Sequence, residues 1–231
     1  MIEEKFLEYL YLCKKIDYNF YEELFEYYIK YLNLKTVNNI IFNNNEKSYY
    51  EFNKKTINLN LNELYSIVLF DSYTINSSYD QILYINSQLL AYLLHEIIHA
   101  KQKNIVKGYE NANKIVIDAL KKSFKRAYFH KKIYEEFHDY FIIEYNANIE
   151  SQLMVKDFLN NLNLEYNLYH LNQILKYGYN VISPIEREYK LLNKDLNIEK
   201  IENDKDFQKL SDNEKIIYGF PIKKEKIIMN K

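Results

Sequence analysis

Two histidines and a glutamate form the sequence His95-Glu96-Ile97-Ile98-His99, in which residue type and spacing together suit metal chemistry. Residues four apart lie on one face of an α-helix, so both imidazoles can reach one metal ion. Zinc favours nitrogen ligands, and this pair supplies two of the three protein ligands that a catalytic zinc site needs. Glu96 lies beside the first ligand, where its carboxylate can take the proton of a metal-activated water. The spacing therefore predicts metal ligands at His95 and His99 and a general base at Glu96.

The chain around this motif is apolar, with Leu89-Leu90-Ala91-Tyr92-Leu93-Leu94 before it and Ala100 after it. Polar side chains are costly to bury in such a segment unless they are hydrogen-bonded, paired or bound to a metal. A metal-free alternative stays open, in which the three polar residues are ordinary satisfied groups on a helix. The apolar surroundings favour the metal interpretation.

The third ligand must come from another part of the chain. Glu144 is the preferred choice because it begins Glu-Tyr-Asn-Ala-Asn in the middle of a predicted helix, Ile133–Leu159. The small Ala147 lets that helix approach the motif helix closely, and Asn148 on the same face can accept an N–H from the far nitrogen of His95. The alternatives are, in descending order of preference, His138 and then a group of three: Glu150, His130 and His170.

With only 3 Gly and 2 Pro, the chain has few strong breaks and its apolar spacing is mostly helical. The exception is a β-like region, where Ile57–Leu61 alternates at period two and residues 53–55 are suited to a hairpin turn. We expect helices at Ile2–Lys15, Asn19–Leu34, Tyr79–Lys103, Ala112–Tyr128, Ile133–Leu159 and Leu164–Tyr177, and strands at Val37–Phe42, Tyr49–Phe52 and Thr56–Leu61.

This pattern predicts a predominantly helical α+β fold with a small antiparallel sheet beside a buried motif helix. Residues 1–231 are predicted to form a single domain, because no repeat or linker divides them. Within it, residues 1–34 form N-terminal helices and residues 183–231 form a helical appendage that begins at a capping serine, Ser183.

Composition and charge exclude several other classes of protein. The 31 basic and 32 acidic residues leave a net charge of −1, which gives no overall field for nucleic acid or an anionic membrane. The single Cys13 excludes an internal disulfide framework and fits a reducing compartment. The longest apolar stretch, Ile82–Ile98, is interrupted by polar residues and so falls short of a membrane-spanning helix. Acidic residues follow Met1, where a secretory signal peptide would carry positive charge. We therefore expect a cytoplasmic protein with neither membrane nor nucleic acid as partner, and interpret the basic run Lys121–Arg126 as a solvated helix face rather than a nucleic-acid contact.

The two motifs, His-Glu-Ile-Ile-His-Ala-Lys-Gln at 95–102 and Glu-Tyr-Asn-Ala-Asn at 144–148, resemble those of the gluzincin metallopeptidases. In that group a glutamate on a later helix completes the HExxH site. The Glu-x-x-Ala-Asn form is similar to the ImmA/IrrE-type peptidases, cytoplasmic proteins that cleave repressor-like regulators. The resemblance covers residues 56–159 and implies a zincin-like fold, a Zn²⁺ cofactor held by His95, His99 and Glu144, and a catalytic Glu96.

The resemblance also implies a strand beside the motif helix, with whose edge an extended substrate pairs. Thr56–Leu61 is the candidate, either as that edge strand or as an interior one. A tyrosine or histidine is expected to stabilise the oxyanion, and the candidates are Tyr145, Tyr140 and His138. Gln102, near the metal-facing side of the helix, is interpreted as structural.

The expected function is thus a zinc-dependent metallopeptidase that hydrolyses peptide bonds in a peptide or protein substrate. The first alternative is a catalytically silent binding or regulatory protein that keeps the zincin fold. The second is a helical interaction protein without a metal. The substrate's identity and the oligomeric state are open at this point.

Overall fold

A computed structural model describes residues 2, 4–6, 8, 16–45, 47–73, 75, 78–102, 109–125, 142–162, 182–183, 186–187, 190–191, 194–212 and 214–215. The longer helices in these ranges are α1 (Tyr18–Tyr31), α2 (Leu61–Ser72), α3 (Ser78–Lys101), α4 (Tyr109–Ser123) and α5 (Ile142–Asn161). Two short helices, α6 (Ile198–Glu202) and α7 (Lys205–Gln208), follow, and the strands are β1 (Asn39–Phe42), β2 (Tyr49–Glu51) and β3 (Thr56–Leu59). The predicted mostly helical α+β class is confirmed.

The three strands form one mixed sheet in the order β1-β3-β2. β2 and β3 pair antiparallel through a turn at residues 52–55, where Lys55 takes a positive φ of 53°. β1 pairs with β3 in parallel, with Ile40 opposite Ile57, so the prediction of an antiparallel sheet is wrong for this pair. The reason is that an alternating pattern records which side of a strand is buried and not the direction of its neighbour. β1 and β2 are consecutive in sequence but lie at opposite edges of the sheet, with β3 between them.

β3 is the central strand, and all four of its residues are buried. The interior alternative for this segment is therefore correct, and β1 and β2 form the edges. The strand ends before its predicted limit because Asn60 caps a helix that the sequence interpretation missed. Asn60 Oδ1 accepts the backbone N–H of Glu63 at 3.1 Å, which starts α2 at Leu61.

One compact unit comprises residues 1–101 and 147–182. Its core joins α1, the sheet, α3 and the second half of α5, with ring contacts such as Phe6 to Phe158 at 5.1 Å. α3 is buried on nearly every side, as predicted for the motif helix. It contacts β2 and β3, so the sheet does lie beside this helix.

A second compact unit comprises residues 102–146 and 183–231. Here α4 packs against α6 and α7, and Phe124 forms an isolated antiparallel bridge with Leu196. Asn197 and Asp204 cap the two short helices through their side-chain oxygens. The single-domain prediction stays a prediction, because the compactness of each unit does not decide whether the two fold together.

Some sequence predictions concern residues outside those described. They include the helix Leu164–Tyr177, the first part of the predicted helix Ile133–Leu159 and residues 216–231 of the C-terminal appendage. Among the helices described, none combines the length and apolar character needed to cross a membrane.

Candidate metal centre

Three predicted ligands converge in the structure. His95 and His99 lie one turn apart near the end of α3, and Glu144 lies in the first turn of α5. Each offers one ligand atom, and these atoms lie within 4.8 Å of one another. The two histidines are half-buried, whereas Glu144 is only 4% exposed. A carboxylate this deeply buried needs polar or charged partners, and a cation held by this group would be one of them.

The two imidazoles turn the same nitrogen toward each other. His95 Nε2 and His99 Nε2 are 2.9 Å apart, a hydrogen bond in which one ring donates and the other accepts. The rings are perpendicular, with centroids 4.5 Å apart. In a tetrahedral site with metal–nitrogen bonds of about 2.0–2.1 Å, two ligand nitrogens lie about 3.3 Å apart. Metal binding would therefore separate the nitrogens by a few tenths of an ångström and replace the hydrogen bond between them.

The donor set fits a divalent metal. Two imidazole nitrogens and one carboxylate oxygen are the ligands of a catalytic zinc site, and three protein ligands leave a fourth position open. Imidazole also suits other transition metals, so the ligands alone define a class of ion. The structure therefore contains a His-His-Glu group in a geometry that can hold such an ion.

Glu96 is buried beside the first ligand. Its side chain is 7% exposed, yet it does not belong to the converging ligand atoms. Successive residues on a helix point about 100° apart, so Glu96 cannot share the face of both histidines. This placement agrees with a role next to the metal rather than on it.

Two hydrogen bonds join α3, or the residue directly after it, to residues of α5. Gln152 Nε2 donates to Gln88 Oε1 at 3.1 Å, which joins the middle of α5 to the middle of α3. Nearer the ligands, Gln102 Nε2 donates to the carbonyl oxygen of Ile143, also at 3.1 Å. Ala147 is fully buried, in keeping with the prediction that a small residue permits close approach.

The other third-ligand candidates have different outcomes. Glu150 lies outside the group and forms an ion pair with Lys101. His138, His130 and His170 fall outside the residues described. Asn148 is half-buried one turn after Glu144, and its predicted contact with His95 stays a prediction.

Of the oxyanion candidates, Tyr145 lies in the described part of the chain, whereas Tyr140 and His138 do not. Burial, with a smaller contribution from the Glu186 carboxylate, raises the pKa of the Tyr145 phenol above its ordinary value of 10.0. The hydroxyl therefore stays protonated at neutral pH and can act as a hydrogen-bond donor. Its role at the site stays a prediction.

Comparison of the chain with protein-family models, with curated proteins and with solved structures gave no match. A functional assignment consequently depends on the site itself: the convergence of His95, His99 and Glu144 and the position of Glu96 beside them.

Proposed function

We propose that this chain is a zinc-dependent metallopeptidase of the gluzincin type. In this proposal His95, His99 and Glu144 hold Zn²⁺, and Glu96 is the general base. The observation that carries the proposal is the position of Glu144, which lies 45 residues after His99 in sequence yet has its carboxylate within 4.8 Å of both histidine ligand atoms. The histidines could meet by helix spacing alone, whereas the glutamate needs the fold to bring it there.

Each residue has a defined part in peptide hydrolysis. When bound, the zinc ion supplies Lewis acidity that polarises the scissile carbonyl. Glu96 accepts a proton from the water whose oxygen bonds to the carbonyl carbon, and then delivers that proton to the leaving nitrogen as the C–N bond breaks. The burial of Glu96 strengthens its electrostatic interactions, since few water molecules surround it.

The resemblance to the ImmA/IrrE-type peptidases extends the proposal to the substrate. A regulatory protein, cleaved in the cytoplasm, is the substrate class that this resemblance favours. An extended segment of that protein would pair with an edge of the sheet beside α3, and β2 is an edge strand that contacts this helix.

The test combines metal analysis with one isosteric substitution. Purified native protein should contain about one zinc ion per chain, and it should cleave members of a mixed peptide library, detected as new termini by mass spectrometry. Glu96→Gln keeps the side chain's shape but removes the proton acceptor, so cleavage should slow by about 10²–10⁴-fold while the metal stays bound.

Glu150→Gln is the matched control, because it makes the same change at a carboxylate outside the ligand group. Its cleavage rate should stay close to that of the native protein. If Glu96→Gln cleaves as fast as native protein with its metal retained, the hydrolytic proposal fails. A native protein that binds zinc and cleaves nothing in the library would support the catalytically silent alternative.

A further inference from the structure

Gln102 connects the two helices that carry the metal ligands. It follows directly on the last residue of α3, three positions after His99, and its side-chain amide donates to the carbonyl oxygen of Ile143. Ile143 immediately precedes Glu144 in the first turn of α5. The hydrogen bond therefore joins the chain just past one ligand to the backbone just before another.

The three ligands differ in how much positioning they need. His95 and His99 belong to one helix, and their four-residue spacing brings them together whatever the rest of the chain does. Glu144 comes from a different helix, so its distance from them depends on where the first turn of α5 lies. The first turn is also where a helix frays most readily, since its N–H groups lack partners within the helix.

A carbonyl oxygen has two lone pairs, so that of Ile143 can accept from Gln102 as well as within its own helix. The 3.1 Å bond limits both sliding and rotation of this turn relative to the end of α3. Each such movement would shift the Glu144 carboxylate away from the histidine nitrogens. The bond thus acts on the ligand that is least fixed by local structure.

We propose that Gln102 is a positioning residue that holds Glu144 at its ligand position before the metal arrives. The inference rests on the proposed function only for the presence of the metal, and it is independent of hydrolysis. Its physical basis is preorganisation: a ligand that is already in place loses less conformational freedom when the ion binds. Partners that orient metal ligands typically contribute about 10- to 100-fold in metal affinity.

The experiment is a Co²⁺ titration of metal-stripped full-length protein, followed by the visible absorption of the bound ion. Gln102→Met keeps the length of the side chain and removes its donor. We expect its Co²⁺ affinity to fall by about tenfold, at the lower end of the effect of such partners because the bond acts through the backbone. We also expect a changed absorption band, because the geometry around the ion is less well defined.

Gln152→Met is the matched control. It removes the other glutamine hydrogen bond between the same two helices, at Gln88, about 12 Å along α5 from Glu144. The metal-free forms of both variants should unfold at similarly lowered temperatures. The control should nevertheless bind Co²⁺ with native affinity and a native spectrum.

Three results would overturn the inference, and they are distinguishable. If Gln102→Met binds Co²⁺ with native affinity and spectrum, Gln102 does not position Glu144. If Gln152→Met weakens binding equally, the effect belongs to helix packing in general. If native protein binds no Co²⁺, the proposed metal site fails and the inference fails with it.

Discussion

Helices α3 and α4 contain polar residues in similar numbers but place them in different surroundings. α4 exposes its charges along one face, with Lys114, Asp118 and Lys122 at four-residue intervals. α3 instead buries polar side chains, namely Asp80, Asn86, Ser87, Gln88 and Glu96. The free-energy cost of removing polar side chains from water is therefore larger for α3 than for α4.

This difference decides which polar groups need a partner inside the protein. The exposed charges of α4 remain in water, whereas the buried polar groups of α3 lose water and must be compensated. Several on α3 have ordinary structural partners: Tyr21 for Asn86, Leu83 for Ser87 and Gln152 for Gln88. In the His-Glu-x-x-His segment of α3, the two histidines belong to the group of possible metal ligands that includes Glu144.

The largest expected effect is loss of the metal. His99→Ala removes a direct ligand. Loss of a residue that only orients a ligand lowers metal affinity by about 10- to 100-fold, so His99→Ala should lower Co²⁺ affinity by more than that. Lys114→Ala, an exposed change on α4, should leave the affinity unchanged. Co²⁺ titration of both variants checks this, and equal affinities would remove the distinction drawn between the two helices.

A smaller effect is expected from the apolar part of α3. Leu93 is fully buried, so Leu93→Ala should lower the free energy of unfolding of the metal-free protein by about 2–5 kcal/mol through lost burial and a cavity. Leu153→Ala on α5 makes the same change at a leucine that is 46% exposed, and should stay within about 0.5 kcal/mol of native. Urea unfolding measures both, and similar losses would show that α3 is not central to the core.

The sequence was most informative where a contact is local. The histidine spacing and the burial of α3 both follow from helix periodicity, so both could be predicted. The choice of Glu144 over Glu150 needed more, namely a second motif, a neighbouring small residue and a family resemblance.

What the sequence did not indicate depends on contacts between distant segments. The parallel pairing of β1 with β3 depends on the path of the chain between strands, which periodicity does not encode. The contact from Gln102 to Ile143 spans 41 residues, and a glutamine after a helix carries no signal of its partner. Helix α2 could have been predicted from the sequence, because the Asn60–Glu63 capping pair at its start is a local signal.

A third effect tests whether the buried polar groups of α3 depend on their partners. The hydroxyl of Tyr21 donates to Asn86 Oδ1 at 3.2 Å, and Tyr21 is fully buried. Tyr21→Phe removes this donor where water replaces it poorly, so unfolding should become easier by about 1–3 kcal/mol. Tyr31→Phe makes the same change on α1 at a residue that is 68% exposed, and its effect should be within about 0.5 kcal/mol. If Tyr21→Phe and native protein gave indistinguishable denaturation curves, buried hydrogen bonds to α3 would contribute little to the free energy of unfolding.

The smallest effect concerns the exposed charges of α4. Lys122 Nζ donates to Asp204 Oδ2 at 2.7 Å, and Asp204 also caps α7 through the N–H groups of Asp206 and Phe207. Partial burial raises the pKa of Asp204, but the hydrogen bonds from Lys122 and these N–H groups outweigh it and leave the pKa below its ordinary value of 3.8. A lowered carboxyl pKa stabilises the fold above that ordinary value, and this stabilisation is lost as the pH falls through the lower folded value.

Lys122→Met should therefore lower the thermal unfolding midpoint at neutral pH by less than Tyr21→Phe does, because the lysine is solvated in both folded and unfolded chains. The difference from native protein should shrink in about 1 M salt, where charges are screened beyond about 3 Å, and again as acid protonates Asp204. Calorimetry at neutral and acidic pH, with and without salt, measures this. A difference that persists in high salt would show that Lys122 acts through packing of its aliphatic stem, and the contrast between a solvated α4 face and a buried α3 face would then be smaller than proposed.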